Sequence, residues 1–332
     1  MQAVSEHADK ALRVGVVGAG VMGANHARVF AGLPDVALVG VVDPNPQQRD
    51  LVHGILGVPA VDHLDALLAL KPDAVTIAAP THLHHEIALK CIARGIHVMV
   101  EKPIASNVEE GRDIIAAARR AGVALMVGHV ERFNPAVQAI KEAIEEEDIL
   151  SIAITRVGPF PPRMSNVGVV IDLAVHDIDL IRWFTDSEIV EVQPQLSSAV
   201  AEREDIALLQ FRTASGVLAH INTNWLTPFK ARTVHVATRR KYVMGDLLTR
   251  QVTECFGFQP DGSYSMRHLS VGHDEPLRAE LSAFVAAIRG GKAPAVTGEE
   301  GVESLGIAMR CLEGRSSAQA MPERKGPRRA AG

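Results

Sequence analysis

Residues 12–23 read LRVGVVGAGVMG, a short apolar run that empties into three glycines spaced G-x-G-x-x-G. A helical pattern follows over residues 21–32, so the order is strand, glycine turn, helix. That order is what a dinucleotide-binding fingerprint requires; the glycines alone are a weak signal. Gly18 permits the tight turn, Gly20 lets the backbone approach a pyrophosphate, and Gly23 allows close packing of helix on strand. Around Val21 and Met22 the first N–H groups of the helix are free, and with the helix dipole they favour an anionic diphosphate. Asp43 ends the second apolar run. Its carboxylate can accept hydrogen bonds from ribose hydroxyls and repel a 2′-phosphate, which predicts NAD over NADP. Arg49 lies near enough to soften that preference.

Outward from this motif, apolar runs and helical stretches alternate. Strands are expected at 36–43, 73–78, 97–100 and 125–128, with helices between them, including 84–94 and 108–121. Continuous apolar strands separated by helices predict an α/β domain, a doubly wound parallel sheet of Rossmann type over residues 12–131. The rhythm changes after residue 148. A strand at 149–157 and an apolar helix at 169–184 precede strand-like runs at 188–200, 204–213, 217–226 and 231–238, with weaker runs at 242–271. Consecutive strands predict a large, mostly antiparallel open sheet in a second α/β domain, residues 132–318, for substrate binding and oligomerisation. Helices at 275–290 and 299–312 close the fold, and the tails 1–11 and 319–332 are read as disordered.

No apolar run approaches the roughly 20 residues needed to cross a bilayer. The N-terminus lacks the apolar core of a secretory signal, so a cytoplasmic protein with no membrane partner is expected. Lys and Arg number 34 against 39 Asp and Glu, and the net charge of −5 offers nucleic acid no bulk attraction. Cys91, Cys255 and Cys311 are odd in number, show no paired zinc spacing, and read as buried small hydrophobes. His82, His84 and His85 at a helix start converge poorly on an ion, so no metal is expected.

Glu101-Lys102-Pro103 directly follows the fourth strand, at the carboxyl edge where α/β sheets place ligands. A lysine there can orient a hydroxyl and stabilise a developing alkoxide, although taken alone Lys102 also reads as a surface lysine. Asp172 and His176 stand four apart, on one face of a helix. Histidine suits proton transfer at neutral pH, with the carboxylate one turn away to hold it. The plainer reading makes Asp172, Asp177 and Asp179 helix caps and solvated charges.

GVVGAGVMG, VVDPN, APTHLHHEIA, VEKPIA, VGHVERFNPA and DLAVHDIDLIRW stand in the order and spacing of the Gfo/Idh/MocA oxidoreductases, which the chain resembles over residues 12–312. The resemblance implies NAD as cofactor, held by Gly18, Gly20, Gly23, Asp43, Thr81, His84, Glu101 and Lys102. It also implies Lys102, Asp172 and His176 as catalytic residues. Thr81 and His82 depart from the Asn and Asp of many members, and the glycines that often precede the helical Asp are reduced to Gly168.

The stretches VGHVERFNPAVQAIKEAI, VGPFPPR and LLQFRTASGVLAHINTNWLTPFKARTVHV are similar to those of members that oxidise the C3 hydroxyl of UDP-N-acetylglucosamine. That implies a 3-keto sugar nucleotide as product, a PLP-dependent aminotransferase as the next enzyme in a lipid A type pathway, and a homodimer or homotetramer. Arg163, Lys230 and Arg232 are candidates to grip the substrate's diphosphate. Arg132 and Asn134 are candidates for sugar or nicotinamide contacts, and Trp225 for stacking on a ring. Each has a plainer reading as a solvated charge or packing aromatic. Two rival functions stand beside this one. A dehydrogenase of another sugar nucleotide or of a free polyol such as inositol would not need the diphosphate grip. A non-catalytic NAD-binding sensor would have no need of Lys102 and His176.

Overall fold

The computed structural model describes residues 11–161 and 167–314. Arg163 and all of the two expected tails except Ala11 lie outside the described residues.

The chain first lays down β1 (Leu12–Val17), α1 (Val21–Ala31), β2 (Val36–Val42), α2 (Pro46–Leu56), β3 (Ala60–Val61) and α3 (Leu64–Ala69). It continues with β4 (Ala74–Ile77), α4 (His84–Ile92), β5 (His97–Glu101), α5 (Val108–Ala121) and β6 (Leu125–Gly128). These strands form one parallel sheet in the order β3-β2-β1-β4-β5-β6. The sequence reading had five strands. The sixth, β3, has two residues, too few to show a period, and only pairing with Val41 and Val42 makes it a strand. Every residue of β4 and β6 is buried, as a sheet covered on both faces requires.

The second part comprises α6 (Pro135–Ala143), β7 (Ile149–Pro159), α7 (Val175–Thr185), β8 (Ile189–Ser197), β9 (Ile206–Thr213), β10 (Leu218–Asn224) and β11 (Leu226–Thr238). Then come β12 (Lys241–Asp246), β13 (Gln251–Phe256), β14 (Ser265–His268), α8 (Pro276–Gly290) and α9 (Gly298–Glu313). The eight-stranded sheet runs β14-β13-β12-β11-β7-β10-β9-β8, and only β7 and β10 pair in parallel. Along β9, Ala207, Leu209, Phe211 and Thr213 are buried while Leu208, Gln210 and Arg212 are exposed. That period of two gives the sheet one core face and one open face. Helices α6, α7 and α9 pack against its strands.

Two expectations need correction. Residues 169–184 are not one regular helix: Val170–Ala174 form a π-helical turn that leads into α7. The boundary at 132–318 also fails as a division of cores. Leu277, Leu281, Phe284, Val285, Val296, Val302 and Leu305 join the core of the first sheet, although they follow the second in sequence. Thr297 bridges to Met126, and α9 lies on α5. The chain therefore returns to its first domain, and a linear cut cannot describe it.

Contact between α5 and α9 depends on Gly111, where a Cβ would lie 2.5 Å from Val302 Cγ2. Gly111→Ala should overpack this contact at a cost of about 1–3 kcal/mol. A thermal melt should show the midpoint lowered by several degrees, and an unchanged midpoint would mean that α9 gives way freely.

Candidate active site

The glycine turn after β1 has the shape its spacing predicts. Gly18 has φ +94°, and a side chain there would press on the Ala78 carbonyl at 2.6 Å. A Cβ at Gly23 would collide with the Gly18 carbonyl, so α1 can close on the turn only without one. At Gly20 nothing lies within 4 Å of where a Cβ would stand. Above it α1 begins with no side-chain cap and no acid in its first turn, and Val21 and Met22 are exposed. An open cradle facing an unneutralised helix N-terminus fits a dinucleotide diphosphate. Asp43, half-buried at the end of β2, accepts the Ala19 N–H at 2.7 Å and the Asn45 N–H at 2.8 Å. Each carboxylate oxygen keeps a lone pair for a ribose hydroxyl. Arg49 is spent on the carbonyls of Asp43 and Pro44, both at 2.9 Å.

Thr81 opens the turn after β4 and is half-buried. His84, expected at the cofactor, turns inward instead: it is 1% exposed, with Nδ1 3.0 Å from the Pro103 carbonyl and Nε2 2.8 Å from the Ala79 carbonyl. It stitches the β4 turn to the Lys102 turn and has no nitrogen left for a ligand. His82 stays exposed and His85 lies 3.5 Å from Asp113, so the three histidines diverge. Glu101 is also interior, accepting from His26 Nε2 at 2.9 Å and from the Lys102 N–H at 3.2 Å. It supports the turn from beneath.

Lys102 leaves the end of β5 and crosses to the π-helical turn. Its Nζ donates to the Asp172 carbonyl at 2.7 Å and to Asp172 Oδ1 at 3.4 Å. Gly168 matters one turn earlier, where a Cβ would collide with the Glu204 carboxylate, which accepts the Val170 N–H. Asp172 therefore holds Lys102, not His176 as the helical spacing suggested. A π-turn is wider than an α-turn, so the four-residue rule does not carry through it. The neighbour of His176 is His129, at the end of β6, whose ring meets it edge-on with centroids 6.2 Å apart. Burial first, then the positive charges of Lys102 and Arg156, push the His176 imidazole well below its ordinary value. It is a neutral base at neutral pH.

Beneath this face lies a buried set of ion pairs. Arg156 on β7 binds Asp177 through Nε and Nη2 at 2.7–3.0 Å and Glu131 at 2.8 Å. Arg232 reaches the same Glu131 oxygen at 2.9 Å. Burial alone would raise Glu131, but the two guanidiniums hold it below the ordinary carboxylate range. Sequence reasoning did not single out Glu131, Arg156 or His129, and offered Asp177 only a plainer reading as a cap or solvated charge. One signal was available: Arg156 continues the buried face of Ile152 and Ile154 on a strand of period two, and a buried arginine demands carboxylates.

Residues 12–129 match a family described as oxidoreductases with an NAD-binding Rossmann fold, and residues 137–245 match the Gfo/Idh/MocA C-terminal domain. The chain belongs to the Gfo/Idh/MocA oxidoreductase family. As a member it has the NAD cofactor expected of the glycine turn and is an oxidoreductase of CH–OH groups. The UDP-N-acetylglucosamine 3-dehydrogenase of Acidithiobacillus ferrooxidans is 31% identical over 244 residues, 71% of this chain and 74% of that protein. A solved structure of it has a TM-score of 0.84 at 28% identity, covering 91% of this chain and 97% of that one. An inositol 2-dehydrogenase of Rubrobacter xylanophilus is 30% identical over 317 residues, 91% of this chain and 90% of that protein.

Several expected substrate contacts turn out to hold this family member together instead. Arg132 is 4% exposed, with Nε and Nη2 both 2.7 Å from the Asp179 carboxylate and Nη1 2.7 Å from Glu300. Asn134 caps α6 and donates to the Leu247 carbonyl at 3.2 Å. Trp225 is 3% exposed, beneath the edge of Phe160. These three are saturated or enclosed and cannot also grip a ligand. Lys230 stays exposed with no ion pair among the described residues, and Arg232 is half-buried and tied to Glu131.

Lys102→Met should lower kcat by about a hundredfold or more while calorimetry still detects NAD binding; wild-type turnover would remove Lys102 from the reaction. A depressed His176 must be neutral to accept a proton and becomes protonated only at acid pH. The pH profile of kcat/KM should therefore stay level as pH falls through the ordinary histidine value of 6.5 and drop only below it.

Proposed function

We propose that the chain oxidises the C3 hydroxyl of UDP-N-acetylglucosamine to the 3-keto sugar nucleotide. NAD, when bound on the glycine turn, supplies the hydride acceptor. His176, neutral and without a hydrogen bond among the described residues, takes the hydroxyl proton. Lys102 Nζ, braced by the carbonyl and carboxylate of Asp172, steadies the oxygen as negative charge develops on it. Such a ketone, carried on a nucleotide diphosphate, is the kind of substrate that a PLP-dependent aminotransferase converts to a 3-amino sugar.

One observation carries the choice of a sugar nucleotide. Register slips between Leu226 and Ala231, so residues 227–230 bulge from β11 across from the end of β7. The bulge and its neighbour expose Phe229 (63%), Phe160 (37%) and Lys230, which has no ion pair among the described residues. Exposed aromatic faces beside a free ammonium suit a base and its diphosphate. Arg163 would extend the same stretch of sequence. The match to an inositol dehydrogenase over most of both chains favours a second reading, oxidation of a free polyol by the same three side chains. Exposed Leu208 and Leu218 on the open sheet face are consistent with self-association as a dimer or tetramer.

The protein should form NADH from NAD and UDP-N-acetylglucosamine, read by absorbance with the ketone trapped, and should leave myo-inositol unchanged. Lys230→Ala should raise KM for the sugar nucleotide about tenfold, a loss of about 1.4 kcal/mol, with NAD affinity unaltered. Faster turnover of myo-inositol would establish the polyol reading.

A further inference from the structure

His129 packs against the ring of His176 but has no part in the reaction above. It follows β6, is 1% exposed, and packs edge-on against His176 at an interplanar angle of 86°. Its Nδ1 is enclosed, makes no hydrogen bond, and lies 3.9 Å from Asp179 Oδ2. Its Nε2 has no hydrogen-bond partner among the described residues. His176 is arranged the same way, with Nδ1 enclosed and Nε2 free. Two imidazoles in edge-on contact, with centroids 6.2 Å apart, therefore both keep Nε2 without a hydrogen bond among the described residues, with Lys102 close enough for its charge to act on both.

We propose that His129 contacts the substrate: its Nε2 accepts a hydrogen bond from a hydroxyl neighbouring the one that His176 deprotonates, so that His129 sets which carbon of the ring is presented. The tautomer follows from the surroundings. Asp179 at 3.9 Å favours the proton on Nδ1, which leaves Nε2 with its lone pair. Arg132 already chelates both Asp179 oxygens, so the carboxylate stays fixed. The charged groups acting on His129 are Asp179 on α7, Arg132 in the turn after β6, and Lys102 and Glu101 at the end of β5. Burial is the largest influence and, with Arg132 and Lys102, keeps the ring neutral against the pull of the two carboxylates. A neutral ring with Nε2 unprotonated is an acceptor, and ring hydroxyls are donors.

This inference rests on the sugar dehydrogenase reading, and amide variants separate it from a packing role. Gln places a polar atom near the Nε2 position, whereas Asn places one near Nδ1. His129→Gln should keep KM for UDP-N-acetylglucosamine within about threefold of the wild type. His129→Asn and His129→Phe should each raise it about tenfold, with NAD affinity unchanged in all three. Rescue by Asn but not Gln, or an equal loss of NAD affinity, would overturn the proposal and make His129 a support for α7. A second arm needs no substrate. Histidine ¹⁵N spectra of the whole protein, with His129 assigned from the Gln variant, should show Nδ1 protonated and Nε2 bare at neutral pH. The opposite tautomer or an imidazolium refutes the proposal even if another sugar proves to be the substrate.

Discussion

Two fully buried carboxylates anchor α7, the helix that carries His176. Asp177 is paired with Arg156 on β7, and Asp179 with Arg132 in the turn after β6. Neither charge is tolerable in the interior without its guanidinium, and removing one partner of such a pair costs about 3–5 kcal/mol. Those two pairs hold α7 against the junction of the two sheets. Asp172 and His176 precede Asp177 by at most five residues, so their position is set by the same anchorage.

The junction gains further rigidity from the Lys102 turn. His84 and Glu101 grip its backbone from within, and Lys102 itself reaches over to the Asp172 carbonyl. A π-turn offers that carbonyl where a regular helix would hold it in its own ladder. Positive charge is thus concentrated beside His176, and together with burial it keeps the imidazole uncharged. The fold supplies a base next to a cation, which is the polarity an alcohol oxidation asks for.

Return of α8 and α9 to the first sheet closes this arrangement. Glu300, in the first turn of α9, is both the partner of Arg132 and half of the capping box with Thr297. A helix that caps itself with the same carboxylate that neutralises a buried arginine is thereby tied to α7 by way of Arg132. A linear division of the chain misses that link, because the residues involved are Arg132, Asp179 and Glu300.

Local rules reach as far as local causes operate. The strand, glycine turn and helix at 12–32, the acid at Asp43, the strand-like run at 204–213 and the Lys102 turn at a strand end were all legible in sequence, since each follows from backbone sterics or from a local pattern of residue types. What no spacing encodes is which partner a polar side chain meets after the chain has folded back. Arg132, Asn134, Trp225 and His84 have the chemistry of ligand contacts and became supports, because burial and saturated hydrogen bonds leave them nothing to offer. Asp172 turned from His176 to Lys102 for the same reason: a contact across 70 residues, made through a turn of unusual width, outweighed a helical neighbour.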